Sequence, residues 1–504
     1  MDVEKLKRML RMGLLAISTF VVCVPAAITQ IISIDLMVDL DAFPSKEFMW
    51  TFPIFVAGEC SAMGLCACII DRYGRAIPYV VGAVLFMAAT VACALSHEMA
   101  VFNTLRFAQG FGTGMIIVTC IAQIFFDVED RKERYVANGI MSAGFGLGML
   151  FGLFAGPAVV DTVGWRVAFW AVAVLAAILM FPCLQILKQG RKSEMKADVP
   201  GAIILTVWAA CFVIFLQKTY NDWRLTDTAG MMGAAFLIML FLIFLVLEAL
   251  HPNSVFHRKV DNGRLVAVSM IFIVILGMLD MGAVGYMVKT ALFTYQMSVS
   301  EAAPYFILFV LGAAVTALTI SKTIDRTGHL PWLILSVVLS PIALLSMHYV
   351  NADDPAYMLA VHLFMLGLSI GCLVSMLNAT IQNRTTVDNN GAIMSFAIMI
   401  RTAALWLGYN FYLAFTDRTM DENLGDEIAY WNSILPFQLP SDSTLASLLI
   451  TPLNDAIKLL PGLTRDIATV FAEGVAEGFM YGSVIFAAIG VAVALLLVRR
   501  PKTL

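Results

Sequence analysis

The chain has 504 residues, of which 60% are hydrophobic and only 13% are charged, and its mean hydropathy is +0.85. Soluble domains carry about 25% charged residues, so this composition excludes an ordinary water-soluble protein and indicates one that is embedded in a lipid bilayer. The net charge of -4 is small for a chain of this size. This value says little by itself, because the distribution of the charges matters more. We expect no nucleic-acid partner.

Fourteen apolar stretches are long enough to cross a bilayer, which takes about 20 helical residues each. In chain order they cover 11–34, 49–70, 77–96, 100–126, 136–160, 166–187, 199–218, 229–250, 265–293, 302–324, 331–350, 356–382, 392–415 and 477–498. Because a backbone in lipid must satisfy its own hydrogen bonds, we predict an all-α integral membrane protein with fourteen transmembrane spans.

The basic residues are distributed unevenly over the loops between these spans. If the N-terminus is cytoplasmic, 22 of the 32 Lys and Arg residues lie in cytoplasmic loops and tails, seven lie on the other side and three lie within spans. Basic residues favour the cytoplasmic side of a membrane. The sequence therefore predicts a multi-pass protein of the cell inner (plasma) membrane, with both termini in the cytoplasm.

Two short loops have similar sequences. The loop after the second span reads IDRYGR over 70–75, and the loop after the tenth reads IDRTGH over 324–329. A repeat of this kind indicates two related helical halves, as in many secondary transporters. We predict an N-terminal six-helix bundle over 1–188, a cytoplasmic linker with two inserted helices over 189–262, and a C-terminal six-helix bundle over 263–504. This last bundle includes an external loop at 416–476.

The fifth span carries glycines at intervals of four residues, at 144, 148, 152 and 156, followed by Pro157. Residues four apart share one face of a helix, and small residues let a neighbouring helix approach closely. The stripe predicts a close helix–helix contact on which the helices can pivot.

Four of the charged side chains that are predicted to lie inside spans are candidates for function, because charges are costly there and often functional. Glu59 and Asp280 are candidate proton carriers, and the alternative for each is a structural, hydrogen-bonded carboxyl group. Arg106, close to Gln109, can hold water or a carboxylate in a cavity, or can be a fixed charge on helix-end carbonyls. Arg401 is a further cavity candidate, with a structural role near the cytoplasmic interface as its alternative.

The loop after the second span has three charges in five residues, at Asp71, Arg72 and Arg75, with Gly74 as the permissive residue of the turn. Anchoring of positive charge at the cytoplasmic face explains the arginines but not Asp71. The charge of Asp71 therefore needs a further explanation.

These motifs resemble those of a known family. DRYGR at 71–75 is similar to the loop signature of the major facilitator superfamily, and Arg106 with Gln109 and Gly110 resembles its fourth-span motif. The set Gly148, Gly152, Gly156 and Pro157, with Trp165-Arg166 after it, resembles the antiporter motif of drug exporters. With fourteen spans, the chain resembles the drug:proton antiporters of the EmrB/QacA type. It departs from them at Val24-Pro25, where the family has an acidic residue, and at Val160-Asp161 in place of a Gly-Gly pair.

The resemblance implies two six-helix bundles with two inserted helices that alternate in access to the two sides of the membrane. It also implies a role for Arg106 in proton coupling. The loop signature implies a conformational latch, in which the loop bonds neighbouring helix ends in one conformation and releases them in another. The latch residues are Asp71, Arg72, Gly74 and Arg75, with Asp325 and Arg326 in the second copy of the loop.

We expect a transporter and not an enzyme, driven by the proton gradient, with no cofactor and no metal. The predicted function is a proton-coupled exporter of hydrophobic small molecules, cationic ones among them. One alternative is a dedicated exporter of an endogenous metabolite, siderophore or lipid. Another is the inner-membrane subunit of a tripartite efflux assembly, in which the external loop docks a periplasmic adaptor protein.

Overall fold

A computed structural model describes residues 3–32, 36, 39–40, 46–131, 133–187, 198–221, 226–251, 260–297, 299–328, 330–434 and 461–498. These residues form helices joined by short connections. The helices as far as the predicted insertion are α1 (Val3–Ile31), α2 (Thr51–Tyr73), α3 (Ala76–Ala94), α4 (Met99–Asp127), α5 (Glu133–Val163), α6 (Trp165–Leu187), α7 (Val199–Asn221) and α8 (Thr228–Leu250). A short 3-10 helix, Lys46–Trp50, precedes α2.

The remaining helices are α9 (Gly263–Ile275), α10 (Gly282–Phe293), α11 (Val299–Thr327), α12 (Leu330–Met347), α13 (Tyr357–Arg384), α14 (Asn390–Ile434) and α15 (Pro461–Val498). A π-helical turn, Leu276–Met281, joins α9 to α10. Every predicted span therefore coincides with a helix, and the all-α fold class is confirmed.

Twelve helices among the described residues are long and apolar enough to cross a membrane, and two shorter apolar stretches, Thr51–Ala67 and Pro331–Met347, lie where further spans were predicted. The number of crossings stays a prediction. The external loop at 416–476 stays a prediction. Within this range α14 continues to Ile434, and α15 begins at Pro461. At 1.5 Å per residue a 45-residue helix such as α14 is about 68 Å long, more than twice the thickness of the hydrocarbon core.

The repeated loops have the same local geometry. Gly74 ends α2 with a φ of 82°, and its N–H donates to Ile70 O at 3.1 Å. Gly328 ends α11 with a φ of 71°, and its N–H donates to Ile324 O at 2.8 Å. Glycine is favoured here because this left-handed conformation is costly for other residues.

The chain divides into two compact units, and each contains segments distant in sequence. Unit 1 consists of Met1–Val274, Ala317–Gly328 and Cys372–Trp406, so that it includes the ends of α11, α13 and α14 as well as α1–α8. Unit 2 consists of Ile275–Thr316, His329–Gly371 and Leu407–Leu504. The domain boundaries drawn from the internal repeat stay a prediction.

The glycine stripe of α5 lies against α1, as the close helix contact requires. A Cβ atom built on Gly144, Gly148 or Gly152 would collide with a backbone carbonyl of α1, that of Ala16, Phe20 or Val24 respectively. The predicted backbone-to-backbone approach is thus confirmed, and α1 is the partner helix. Pro157 continues the helix, and its side chain lies outside the described part of the structure.

The same kind of contact brings α2 and α4 together. A Cβ on Gly110 would collide with Phe55 O, one on Gly114 with Glu59 O, and one on Gly58 with Phe107 O. The inserted helix α7 also packs on α2, where Gly64 faces the backbone of Thr206. Helix α2, which carries Glu59, is therefore held on two sides.

Gly148→Ala tests the contact between α1 and α5. The new methyl group would overlap Phe20 O, and overpacking of this kind costs about 1–3 kcal/mol. We expect a lower melting temperature of the purified protein in detergent. Gly13→Ala is the matched control, because a methyl group on Gly13 of α1 would meet nothing within 4 Å; an equal loss in both variants would contradict close packing as the cause.

Candidate functional site

The guanidinium group of Arg106 is fully buried and is held by neutral groups. Its Nη2 donates to Thr29 Oγ1 at 2.8 Å, its Nε donates to Thr51 O at 3.4 Å, and its Nη1 donates to Gln109 Oε1. The ring of Phe55 lies 4.4 Å from the guanidinium carbon. The structure thus joins Arg106 directly to Gln109. It also joins α4 to α1 through the bond from Arg106 to Thr29, a residue that the sequence analysis did not identify.

Gln109 extends this cluster to a further helix. Its Nε2 donates to Thr90 Oγ1 at 2.8 Å, on α3. Both ends of the amide are therefore bonded, so the Oε1 atom is oriented toward Arg106. A buried cation bonded in this way stays charged without a carboxylate beside it.

Glu59 and Arg401 come together in a second part of unit 1. The Glu59 side chain is only 7% exposed, and its carboxylate and the guanidinium group of Arg401 attract each other electrostatically. Thr402, the next residue of α14, donates to Met63 Sδ at 3.8 Å, which places α14 beside α2. Two of the predicted cavity residues thus lie on neighbouring helices.

The charge of Glu59 also acts on the buried Cys23 thiol of α1. Cys23 precedes Val24-Pro25, the place where related transporters have their acidic residue. The described carboxylate of this region therefore comes from α2 and not from α1. No described interaction joins Arg106 to Glu59 or Arg401, so the predicted cavity set falls into two clusters.

Asp71 contacts the first turn of α14. Its carboxylate accepts the Gly391 N–H at 2.8 Å and the Ala392 N–H at 2.9 Å, and the side chain is 5% exposed. Free N–H groups at a helix N-terminus favour an anion. A Cβ on Gly391 would collide with the Asp71 carboxylate, so glycine is required for this approach.

Arg75, in the same loop, is buried against the end of α4. Its Nε donates to Gln123 Oε1 at 2.7 Å, and the Phe126 ring centroid lies 3.4 Å from its guanidinium carbon. Burial lowers the pKa of Arg75 to about 10, against the opposing effect of the Asp71 and Asp127 carboxylates. The group therefore stays protonated at neutral pH. Arg72 is exposed.

The second copy of the loop, at 324–329, is described only in part. Arg326 is exposed, Gly328 makes the turn, and the side chain of Asp325 lies outside the described part of the structure. The two loops therefore share backbone geometry, whereas the described buried contacts of this kind belong to the first.

Asp280 lies in the π-helical turn of unit 2, and its side chain also lies outside the described residues. Such turns are rare and are frequent at functional sites. The turn packs closely on α14: Tyr412 Oη donates to Leu279 O at 2.8 Å, and Gly408 lies against the Met278 carbonyl. This irregular turn is a feature that hydrophobic periodicity does not reveal.

A sequence profile of the Major Facilitator Superfamily matches residues 13–409. The chain belongs to the major facilitator superfamily. Members of this superfamily are transporters, so the protein is a transporter and not an enzyme, and it is a multi-pass membrane protein.

The chain is similar to several bacterial drug transporters. It is 22% identical to Multidrug resistance protein 3 of Bacillus subtilis over 409 residues, which cover 78% of this chain and 76% of that protein. It is 20% identical to Multidrug transporter protein MdtP of the same organism over 474 residues, 89% of this chain and 85% of that protein. It spans only 64% of an uncharacterised transporter of Mycobacterium tuberculosis to which it is 22% identical over 458 residues, 90% of this chain.

Solved structures show the same fold at low sequence identity. The human organic anion transporter MFSD10 superposes with a TM-score of 0.59 at 12% identity, covering 98% of this chain and all of that one. The proton:xylose symporter XylE superposes with a TM-score of 0.55 at 14% identity, covering 97% and 95%.

Asp71→Asn tests the contact of the first loop with α14. The variant keeps the size of the side chain but loses the charge and one acceptor, and charge-assisted hydrogen bonds contribute about 1.5–3 kcal/mol. We expect amide hydrogen exchange across 385–396 to become about tenfold faster or more, since 1.4 kcal/mol corresponds to a factor of ten. Glu129→Gln, at an exposed site, should leave the exchange unchanged. Equal exchange rates in the two variants would contradict a stabilising contact between Asp71 and α14.

Proposed function

We propose that this protein is a proton-coupled secondary active exporter of hydrophobic small molecules, cationic ones among them, working by alternating access. The observation that carries the proposal is the pair of Glu59 and Arg401, a buried carboxylate on α2 that is attracted by the charge of a guanidinium group on α14. A carboxylate in such a place can exchange a proton, and its charge is coupled to a second helix.

The coupling follows from electrostatics. Two unit charges about 4–8 Å apart attract by roughly 2–4 kcal/mol at an effective dielectric constant of 20. Protonation of Glu59 removes this attraction between α2 and α14. A change of that size shifts a two-state equilibrium by more than tenfold, so the bound proton selects a conformation.

Two further features support alternating access. Asp71 bonds the first turn of α14, and we propose that this bond is a latch that opens during the cycle. In the α1–α5 contact the glycines of α5 lie directly against the backbone of α1. We propose that this contact is the pivot. Arg106 is held by neutral partners and keeps a fixed positive charge. We propose that this charge tunes the protonation of the coupling site.

Substrate class and energy source rest on different grounds. The names of the Bacillus subtilis relatives support small-molecule drugs as substrates. We propose the proton gradient as the energy source, with no cofactor, and the plasma membrane as the location, with both termini on the cytoplasmic side. The departure from the family at Val24-Pro25 favours the alternative of a dedicated exporter of one endogenous compound.

Substrate-driven proton movement in proteoliposomes distinguishes these two functions. With an imposed pH gradient, we expect several unrelated dyes and quaternary ammonium compounds to trigger proton flux in the intact protein. A response to a single siderophore, lipid or metabolite alone would replace multidrug export by dedicated export.

Glu59→Gln tests the coupling site, and Asp280→Asn tests the second predicted acid. Glutamine keeps the shape but carries neither charge nor exchangeable proton, so we expect Glu59→Gln to lower gradient-driven transport at least tenfold. Substrate exchange without a gradient should persist, because it needs no net proton transfer. We expect Asp280→Asn to weaken gradient-driven transport as well.

The control for these variants is Glu98→Gln, which removes an exposed carboxylate just before α4. Transport at the level of the unaltered protein in both Glu59→Gln and Asp280→Asn would remove the two acids from the mechanism. Loss of exchange together with driven transport would indicate a folding defect instead.

A further inference from the structure

The C-terminal ends of α4 and α13 meet the first turns of α5 in unit 1 around three buried polar residues. Arg134 and Asn138 lie on α5 and are 8% and 1% exposed, and Gln382 lies near the end of α13 and is fully buried. Buried polar groups are costly unless they are bonded. Their hydrogen-bond partners therefore decide what this cluster does.

Arg134 bonds the ends of two helices at once. Its Nε donates to Val128 O at 2.9 Å and its Nη2 donates to Phe125 O at 3.2 Å, both at the end of α4. Its Nη1 donates to Gln382 O at 3.3 Å and to Asn383 Oδ1 at 3.1 Å, at the end of α13. Helix C-termini carry partial negative charge, so one guanidinium group stabilises two of them side by side.

Gln382 completes the connection through its side-chain amide. Its Nε2 donates to Ile121 O at 3.0 Å on α4, and its Oε1 accepts the Asn138 Nδ2 at 2.8 Å on α5. Next to it, Asn383 Nδ2 donates to Arg131 O at 3.3 Å. The end of α13 is therefore bonded to both α4 and α5.

The packing around these bonds is close. A Cβ on Gly139 of α5 would lie 3.3 Å from Ala317 Cβ and 3.5 Å from Ser375 Oγ, on α11 and α13. The Phe125 ring centroid lies 4.4 Å from the Arg134 guanidinium carbon and covers it. Separation of α13 from α5 would expose polar groups that are now paired.

We propose that Arg134, Asn138 and Gln382 form a second lock of the transport cycle, separate from Asp71. The predicted bundles place α4 and α5 in the N-terminal half and α13 in the C-terminal half, so a rocking motion breaks these bonds in one of the two states. The three residues are positioning residues: they set the population of the locked state. The inference rests on the alternating-access mechanism proposed above, but its test measures conformation and not transport.

The two locks differ chemically. The Asp71 contact joins a carboxylate to backbone N–H groups. None of the hydrogen bonds described for the second lock uses a carboxylate; they join a guanidinium group and amide side chains to carbonyl groups and to one another.

Spin labels at Glu129→Cys and Thr386→Cys, both at exposed positions, report the separation of these helix ends by pulsed electron paramagnetic resonance in proteoliposomes. We expect Gln382→Leu and Arg134→Gln each to raise the ratio of long to short distances about tenfold or more. Asn138→Ala removes only one bond to α13 and should raise the ratio less. Lys322→Gln is the matched control, because it removes the same charge from an exposed side chain of α11 that takes no part in the hydrogen bonds described above and should leave the ratio unchanged.

A distance distribution in Gln382→Leu and Asn138→Ala equal to that of Lys322→Gln would overturn the lock, even if Arg134→Gln fails to fold. Elution as a single species and an unchanged melting temperature of the label-bearing parent show that the labels themselves are tolerated. If the distances shift while Glu59→Gln transports normally, the lock stands and the proton-coupling proposal fails. If the distances do not shift while Glu59→Gln is uncoupled, the reverse holds.

Discussion

The absence of water from the membrane interior is the constraint on which this structure depends. A charge or an unpaired backbone group in lipid has no solvent to bond, so each must find a partner inside the protein. The apolar stretches of this chain consequently form helices, and the few charges among them are placed against specific groups. The conformations available to the protein are those in which these partners are kept or exchanged.

The buried charges of unit 1 are satisfied in three different ways. Arg106 is held by hydroxyl, carbonyl and amide oxygens and by an aromatic ring. Glu59 faces the opposite charge of Arg401. Asp71 and Arg134 use helix ends, a carboxylate on an N-terminus and a guanidinium group on two C-termini. The first arrangement joins helices α1, α2 and α4, which are close in sequence, whereas the other two join helices that are distant in sequence.

Local patterns in the sequence predicted the helices and several of their contacts because the physics of these features is local. Hydropathy over some twenty residues placed each span, and the glycine spacing of α5 predicted a close neighbour. Gly74 and Gly328 ended their helices in the left-handed conformation, as the two similar loops require. Helices α14 and α15 extend beyond the apolar stretches that predicted their spans, since a helix continues when its polar residues are compatible with helical geometry.

The sequence by itself therefore determined that this is a helical membrane transporter of the major facilitator superfamily, with charges at Glu59, Asp71 and Arg106 that require partners. The tertiary structure decided which partners they have. Gly391 for Asp71 and Arg401 for Glu59, like Gln382 for Arg134, lie hundreds of residues away along the chain, and no periodicity links them. Such pairs depend on which helices pack together, because hydrogen bonds and the attraction between charges both weaken with distance.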